Sequence, residues 1–563
     1  MRIRHAALAV LLTSAIACAS EPKGPIPVKD LPDIDTKLAL DDIKKLASDE
    51  FEGRSPGSKG EDLTVQFLSD QFKAIGLKPG NPDGTWTQAV PLVGLTSDKM
   101  TPLKITAKNG KSLDLKFRDQ FVGWSRRVTD KIELAKSDMI FIGYGVQAPE
   151  YGWDDLKGVD VKGKTIVVLV NDPQVKGADG QLDAAIFKGN AMTYYGRWTY
   201  KFDKAAELGA DAVIIVHETA TAGYGWNVVR NMAGERFDLA TPNKNMDKAK
   251  LDSWMSVEAA KDLFTLAGLD YDKAKAAAQT KDFKPMPLNL TASLSFEQKQ
   301  RTVNSRNVVA KLEGSDPTLK NEYVVFSAHW DHFGIGEPIN GDKIYNGAAD
   351  NASGTAALLA AARVATKVKP APKRTMIFLA VTAEEQGLLG SQYYGTFPLY
   401  PLEKTLANVN MDDNLSMWGR TKDTMVIGLG ASDLDDYLKD VAGELGKTLK
   451  PDGEPEKGFY YRSDHFNFAK VGVPALDTDD GDDVIGKPEG YGKQKKDYYT
   501  EHDYHQPSDD VKAEWDMAGF AEDAKMLFAV GYRVAQADKF PEWKPGNEFK
   551  AIREKMLGGA SKK

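Results

Sequence analysis

Three short strings decide the fold: VVFSAHWDH (324–332), IFLAVTAEEQG (377–387) and ANVNMDDN (407–414). Each is an apolar run that ends abruptly in histidine or carboxylate. Runs of this length, bounded by turns, read as strands buried on both faces. From Asn307 onward they alternate with helix-patterned segments at 353–368, 388–395, 433–445 and 516–535, the order of an α/β sheet. TMVIGLG (424–430) reads as a further strand of the same kind. In open α/β sheets the ligand crevice lies outside the carboxyl ends of the strands. His329, Asp331, Glu384, Glu385, Asp412 and Asp413 are therefore expected to converge there. YNGAADNASG (345–354) adds Asp350 from a turn before a helix.

Outward from this core the pattern changes. Residues 36–47 read as an amphipathic helix, and a second helix places Leu63, Phe67, Phe72 and Ile75 on one face before Gly76 and Pro79 stop it. Short alternating segments suggest strands over 103–121. Near Ser137 the composition shifts to glycine-punctuated apolar strands, followed by a helix, Gly209 and a strand ending in His217. That stretch offers no catalytic set, and His217 is expected to be structural. The resulting division is a targeting segment at 1–18, a linker at 19–32, the first part of the catalytic domain at 33–135 and an insert at 136–290. The main catalytic part follows at 291–540, with a C-terminal tail at 541–563.

The 563 residues are 42% apolar and 27% charged, a soluble globular composition with room for two domains. A formal charge of -8 with no basic stripe argues against nucleic-acid binding. Arg2 and Arg4, an apolar stretch at 6–16 and the small-residue site Ala15-Ile16-Ala17-Cys18 read as an export signal too short to span a bilayer. Cys18 stands where a bacterial lipoprotein would be acylated, so the expected location is periplasm, outer membrane or medium. Any membrane contact would be through that lipid. It is also the only cysteine, so a metal would have to be held by histidine and carboxylate.

HWD, GAADNASG, the paired glutamates of TAEEQGLLGS, NMD and YHQPSD occur in the order seen in M28 metallopeptidases, and the chain resembles that family closely. The insert resembles a protease-associated (PA) domain. The resemblance implies an α/β fold, a mixed sheet sandwiched by helices of the zinc-exopeptidase, phosphorylase/hydrolase-like type, carrying an inserted β-rich α+β PA domain. It implies two Zn2+ ions, with Co2+ or Mn2+ as alternatives: one on His329, Asp350 and Asp412, the other on Asp350, Glu385 and His505. Glu384 would be the general base, and Asp331 would accept the remaining N–H of His329. His505 is preferred to His502 because Tyr504-His505-Gln506-Pro507 fits the family string. His332 is read as a loop or supporting residue.

The implied activity is aminopeptidase action on peptides with a free N-terminus. Carboxypeptidase, other amidohydrolase or inactive binding-protein readings are the alternatives. Tyr461, Asp464 and His465 either line the substrate pocket or pack, and Arg462 is the one arginine in the core motifs that could meet a terminal carboxylate. The acidic run at 477–483 is a solvated loop, a calcium site or an attractor of the substrate amine. The insert either limits access to the cleft or mediates dimerisation.

Overall fold

The computed structural model describes residues 25–231, 234–412 and 416–560. The export segment with Cys18, and Asp413, lie outside these residues.

Four parallel strands form the catalytic sheet in the order Ala475–Leu476, Thr405–Asn410, Tyr323–His329 and Thr375–Val381. The strand Met286–Leu312 runs antiparallel to the last of these. Both faces of the sheet are covered, which is why the strand sequences are apolar without alternation. Val324, Phe326 and Ala328 face one helical layer, together with Ala356–Ala362-region residues Leu358 and Leu359 and with Phe528 and Val530. Val325, Ile377 and Leu379 face the other layer, with Phe466, Phe468, Trp543 and Phe549. Phe326 and Phe378 stack at 5.4 Å. Full burial of one such side chain is worth about 1.5–3 kcal/mol. The helix Met517–Gln536 crosses this ring at Gly531, where a Cβ would lie 2.2 Å from Phe326.

The predicted helices appear as Thr36–Leu46, Lys59–Ile75, Gly354–Lys367, Leu389–Thr396, Leu434–Glu444 and Met517–Gln536. Asp35 and Ser58 cap the first two through Leu38 and Glu61 N–H groups, and Gly76 at φ 94° ends the second. These local signals made the helices legible.

One expectation changes, and two sets of contacts bear on the expected divisions. The strand expected at 424–430 forms as Asp423–Val426, but it joins a separate three-stranded sheet with Thr448–Pro451 and Thr478–Asp479. Across the bound expected at 136, Leu103–Ala107 pairs with Met286–Leu312 and Phe121–Trp124 pairs with Leu251–Ser256. The 27-residue strand Met286–Leu312 passes unbroken from the insert side into the catalytic sheet. One long strand shared by both parts leaves no linker for composition to reveal. Finally, the described residues of the C-terminal segment, 541–560, pack on the catalytic part. Trp543 and Phe549 are buried among Tyr460 and Phe466, and Lys550–Ala560 is helical, with Arg553 donating to Leu402 O and Thr405 O. Among the described residues no helix is long and apolar enough to cross a membrane.

Candidate metal centre

His329 is the last residue of its strand, and its parallel neighbours end beside it, so three strand ends deliver side chains to one point. After Val381 the chain turns sharply at Ala383, φ 53°, which presents Glu384 and Glu385 in succession. Thr382 N–H donates to Asn307 Oδ1, and Glu384 N–H donates to Asp331 Oδ1 at 3.1 Å, fixing the turn.

The structure brings His329, Asp350, Glu384, Glu385, Asp412 and His505 together. His329 Nε2 lies 3.0 Å from Asp412 Oδ1, 3.2 Å from Asp350 Oδ1 and 3.9 Å from Glu384 Oε2. His505 Nε2 lies 3.2 Å from Asp350 Oδ2 and 3.3 Å from Glu385 Oε2. The two oxygens of Asp350 thus face two different imidazoles. His505, at φ 59°, is the exposed member of the set at 34%, and Tyr504 stacks on its ring at 3.7 Å.

One placement differs from expectation. The Nδ1 of His329 meets the backbone carbonyl of Asp331 at 3.1 Å, while the Asp331 carboxylate stands off at 3.8 Å. That carboxylate holds the Glu384 backbone instead. His332 lies in the loop after the strand, as read from the sequence, but deep in the interior of the site. It is 1% exposed, and its Nδ1 approaches Glu385 Oε1 at 2.6 Å without the alignment of a hydrogen bond. His332 with Asp350 and Glu385 forms a triad whose ligand atoms lie within 4.8 Å of one another, as do His329, Asp350 and Asp412.

Sequence reasoning missed the supports. Arg54, fully buried, donates to Trp330 O, Leu46 O, Asn346 O and Gly347 O at 2.6–2.8 Å and so ties the two ligand-bearing loops together. Asp509 accepts from Ala349 N and Asp350 N at 2.9 and 3.1 Å. It is the last residue of YHQPSD, so its position was signalled though its role was not. Ser463 Oγ donates to Asp412 Oδ2, and Asn410 Nδ2 donates to Ser463 Oγ at 2.7 Å.

Tyr461, Asp464 and His465 are 4%, 0% and 0% exposed, so none offers free surface to a substrate. Tyr461 donates to Glu548, Asp464 accepts from Ser391, and His465 faces Asp477 at 3.4 Å. They form the packed wall behind the site. Burial lowers His465 to about 4 and raises Asp464 to about 7.

The donor set fits divalent cations. Among the described residues no lysine or arginine forms an ion pair with Asp350, Glu384, Glu385 or Asp412; the basic groups within 4 Å of them are histidines, and buried Arg54 acts on Asp350 and Glu385 only from a distance. Burial, with Asp350 and Glu384 beside it, pushes Glu385 well above the usual carboxylate range. Burial likewise raises Glu384, with Asp412 and Asp464 adding to it. Burial holds His332 well below its ordinary value, as a neutral imidazole. Glu385 Oε1 and both ring nitrogens of His332 are buried without hydrogen-bond partners, a state native proteins rarely tolerate without an ion or water.

An α/β sheet whose parallel strands end in two imidazole–carboxylate triads sharing one aspartate defines a class of protein built around a paired metal site. Residues 307–529 match the model of Peptidase family M28. A probable zinc metalloprotease of Pyrenophora teres f. teres (strain 0-1) is 31% identical over 160 residues, 28% of this chain and 29% of that protein. A probable leucine aminopeptidase 2 of Aspergillus oryzae (strain ATCC 42149 / RIB 40) is 35% identical over 106 residues, 19% of this chain and 18% of that protein. The match thus spans under a third of these relatives' length. Among solved structures, an aminopeptidase from Aneurinibacillus sp. strain AM-1 aligns over 89% of this chain and 94% of its own, at 18% identity and TM-score 0.49. A zinc aminopeptidase from Bacillus subtilis aligns over 90% and 96%, at 18% identity and TM-score 0.43.

Proposed function

We propose that the protein is a two-zinc exopeptidase that removes N-terminal residues from peptides. The observation that carries this reading is Asp350, whose two oxygens face His329 and His505 separately, with Glu384 beside the first. His329, Asp350 and Asp412 would hold one ion, and Asp350, Glu385 and His505 the other, with His332 against the second. When bound, such ions supply Lewis-acid polarisation of the scissile carbonyl and lower the pKa of water.

Glu384 takes a proton from the attacking water and returns it to the leaving amine, a role worth on the order of 10²–10⁴-fold. Asp331 positions Glu384 by holding its backbone N–H, and the Asp331 carbonyl fixes the tautomer of His329 so that Nε2 is free to ligate. Ser463 orients Asp412, and Asp509 orients Asp350. The name of the Aspergillus relative supports the aminopeptidase direction. Residues 1–18 further support export, with lipid on Cys18 as the membrane attachment.

The test is mass spectrometry of free-amine peptides and their N-acetylated twins, digested by the zinc-loaded protein. Stepwise loss from the amino end, blocked by acetylation, is expected. Loss from the carboxyl end would overturn the direction, and no cleavage by a protein holding two metals would point to a non-peptide amide or an inactive binder.

A further inference from the structure

Arg197 caps the insert helix Trp198–Glu207, and Arg462 follows Tyr461 in the catalytic part. The segments that carry them pack together. Met192 N donates to Pro455 O at 2.9 Å, Asn190 Nδ2 donates to Glu456 Oε2 at 2.9 Å, and Tyr194 lies 6.2 Å from Tyr461 and 5.2 Å from Phe466.

Neither guanidinium has a hydrogen bond or an ion pair among the described residues, and the Arg197 Nε is buried without a partner. Their contacts are ring faces only: Arg197 over Trp198 at 6.0 Å and Arg462 over Phe459 at 5.0 Å. Those contacts set the guanidinium planes and leave the N–H groups unused. The two charges sense each other, since burial and then Arg462 bring Arg197 down to about 10, and Tyr224 senses both. Other buried arginines each meet an oxygen partner: Arg54 four carbonyls, Arg126 Asp203 and Asp252, Arg374 Glu322, even where one nitrogen, as Arg126 Nη2, is left over. A half-buried pair of like charges without a counter-ion is costly unless an anion completes it.

Arg462 is joined to the centre through the chain: Ser463, the next residue, donates to Asp412. An extended peptide advances about 3.3–3.6 Å per residue, so a pair of this kind would select substrates by length.

We propose that Arg197 and Arg462 form a clamp, one arm from each part of the chain, for the C-terminal carboxylate of a short peptide substrate. The proposal deepens the aminopeptidase reading and rests on it for the position of the cut. Planar guanidinium forks bind carboxylate in a bidentate manner, which a lysine cannot reproduce. The clamp makes the enzyme selective for short peptides with a free carboxyl terminus, and it gives the insert a part in substrate recognition. An acidic side chain near the leaving end presents the same chemistry, so the two sources are separated experimentally.

The experiment is calorimetry with the zinc-loaded Glu384→Gln protein and three ligands: Leu-Gly-Gly as free acid, its C-terminal amide, and Leu-Gly-Asp amide. The free acid is expected to bind roughly 10- to 100-fold tighter than the Gly amide. That preference should shrink to under about 3-fold in folded Arg197→Gln and Arg462→Gln backgrounds, with Arg462→Lys keeping part of it. Equal affinity for acid and amide, or a preference that survives both Gln substitutions, overturns the clamp. Tight binding of the aspartyl amide with weak binding of the free acid overturns the terminal-carboxylate assignment. Turnover by the unmutated protein is measured in parallel. Cleavage without the binding preference removes the clamp and keeps the hydrolase, whereas the preference without cleavage keeps the clamp and removes the hydrolase.

Discussion

His332 Nδ1 and Glu385 Oε1 stand 2.6 Å apart in the buried floor of the centre, too poorly aligned for a hydrogen bond, with no other hydrogen-bond partner for either. Both groups thus keep ligating capacity that no described protein atom uses. His332→Ala should therefore weaken metal retention at the Asp350–Glu385 side about 10- to 100-fold, the usual scale for losing a group that supports a ligand. Zinc per chain, measured by atomic emission against graded chelator, reads this directly. Unchanged retention in a folded His332→Ala protein would reduce the residue to packing.

Glu384→Gln keeps the shape of the side chain and removes its basicity. A fall in kcat of roughly 10²–10⁴-fold with metal content unchanged is expected. Loss of metal along with activity would show that Glu384 is a ligand rather than the base.

Arg54 ends four backbone carbonyls that no other described side chain reaches. Arg54→Ala leaves Trp330 O, Leu46 O and Asn346 O without that donor at about 1–3 kcal/mol each, less whatever water enters, while Gly347 O keeps the Ala352 N–H. A loss of at least about 3 kcal/mol in chemical denaturation is expected, with weaker metal binding because Trp330 and Gly347 flank His329 and Asp350. Near-native stability would mean that the loops hold themselves.

Those contacts mark the limit of what the sequence discloses. His329, Glu384, Glu385 and Asp412 were legible because each follows an apolar run, and a buried parallel strand must end where its polar residues begin. Asp350 was legible from its turn. Arg54 was not, because three of its four partners are carbonyls 276–293 positions away and carbonyls have no sequence signature. The strands expected over 103–121 pair with strands of the insert side, and such pairing has no signature in composition. Trp543 and Phe549 looked like a tail because two aromatics without periodicity announce no element. Arg197 lay in an insert that offered no catalytic set, and its significance depends wholly on what packs against it.

Asp172 of the insert supplies a pH signature away from the metal centre. Burial raises it to about 7 from an ordinary 3.8, while it accepts from Thr193 N–H and Oγ1–H. Between about pH 4 and about pH 7 the folded state holds a proton that the unfolded chain has released. Stability from this group is therefore present at the acid end and lost as pH rises through that window. Asp172→Asn should make Tm less sensitive to pH over the same range. A mutant and parent with parallel Tm–pH curves would refute the assignment.

The central claim is that Asp350 is shared by two ions, and anomalous diffraction at the zinc edge from zinc-soaked crystals tests it most directly. The account predicts two peaks roughly 3.5–4 Å apart, one bounded by His329, Asp350 and Asp412, the other by Asp350, Glu385 and His505 with His332 alongside. One peak at saturating zinc, or two peaks that do not share Asp350, would contradict it.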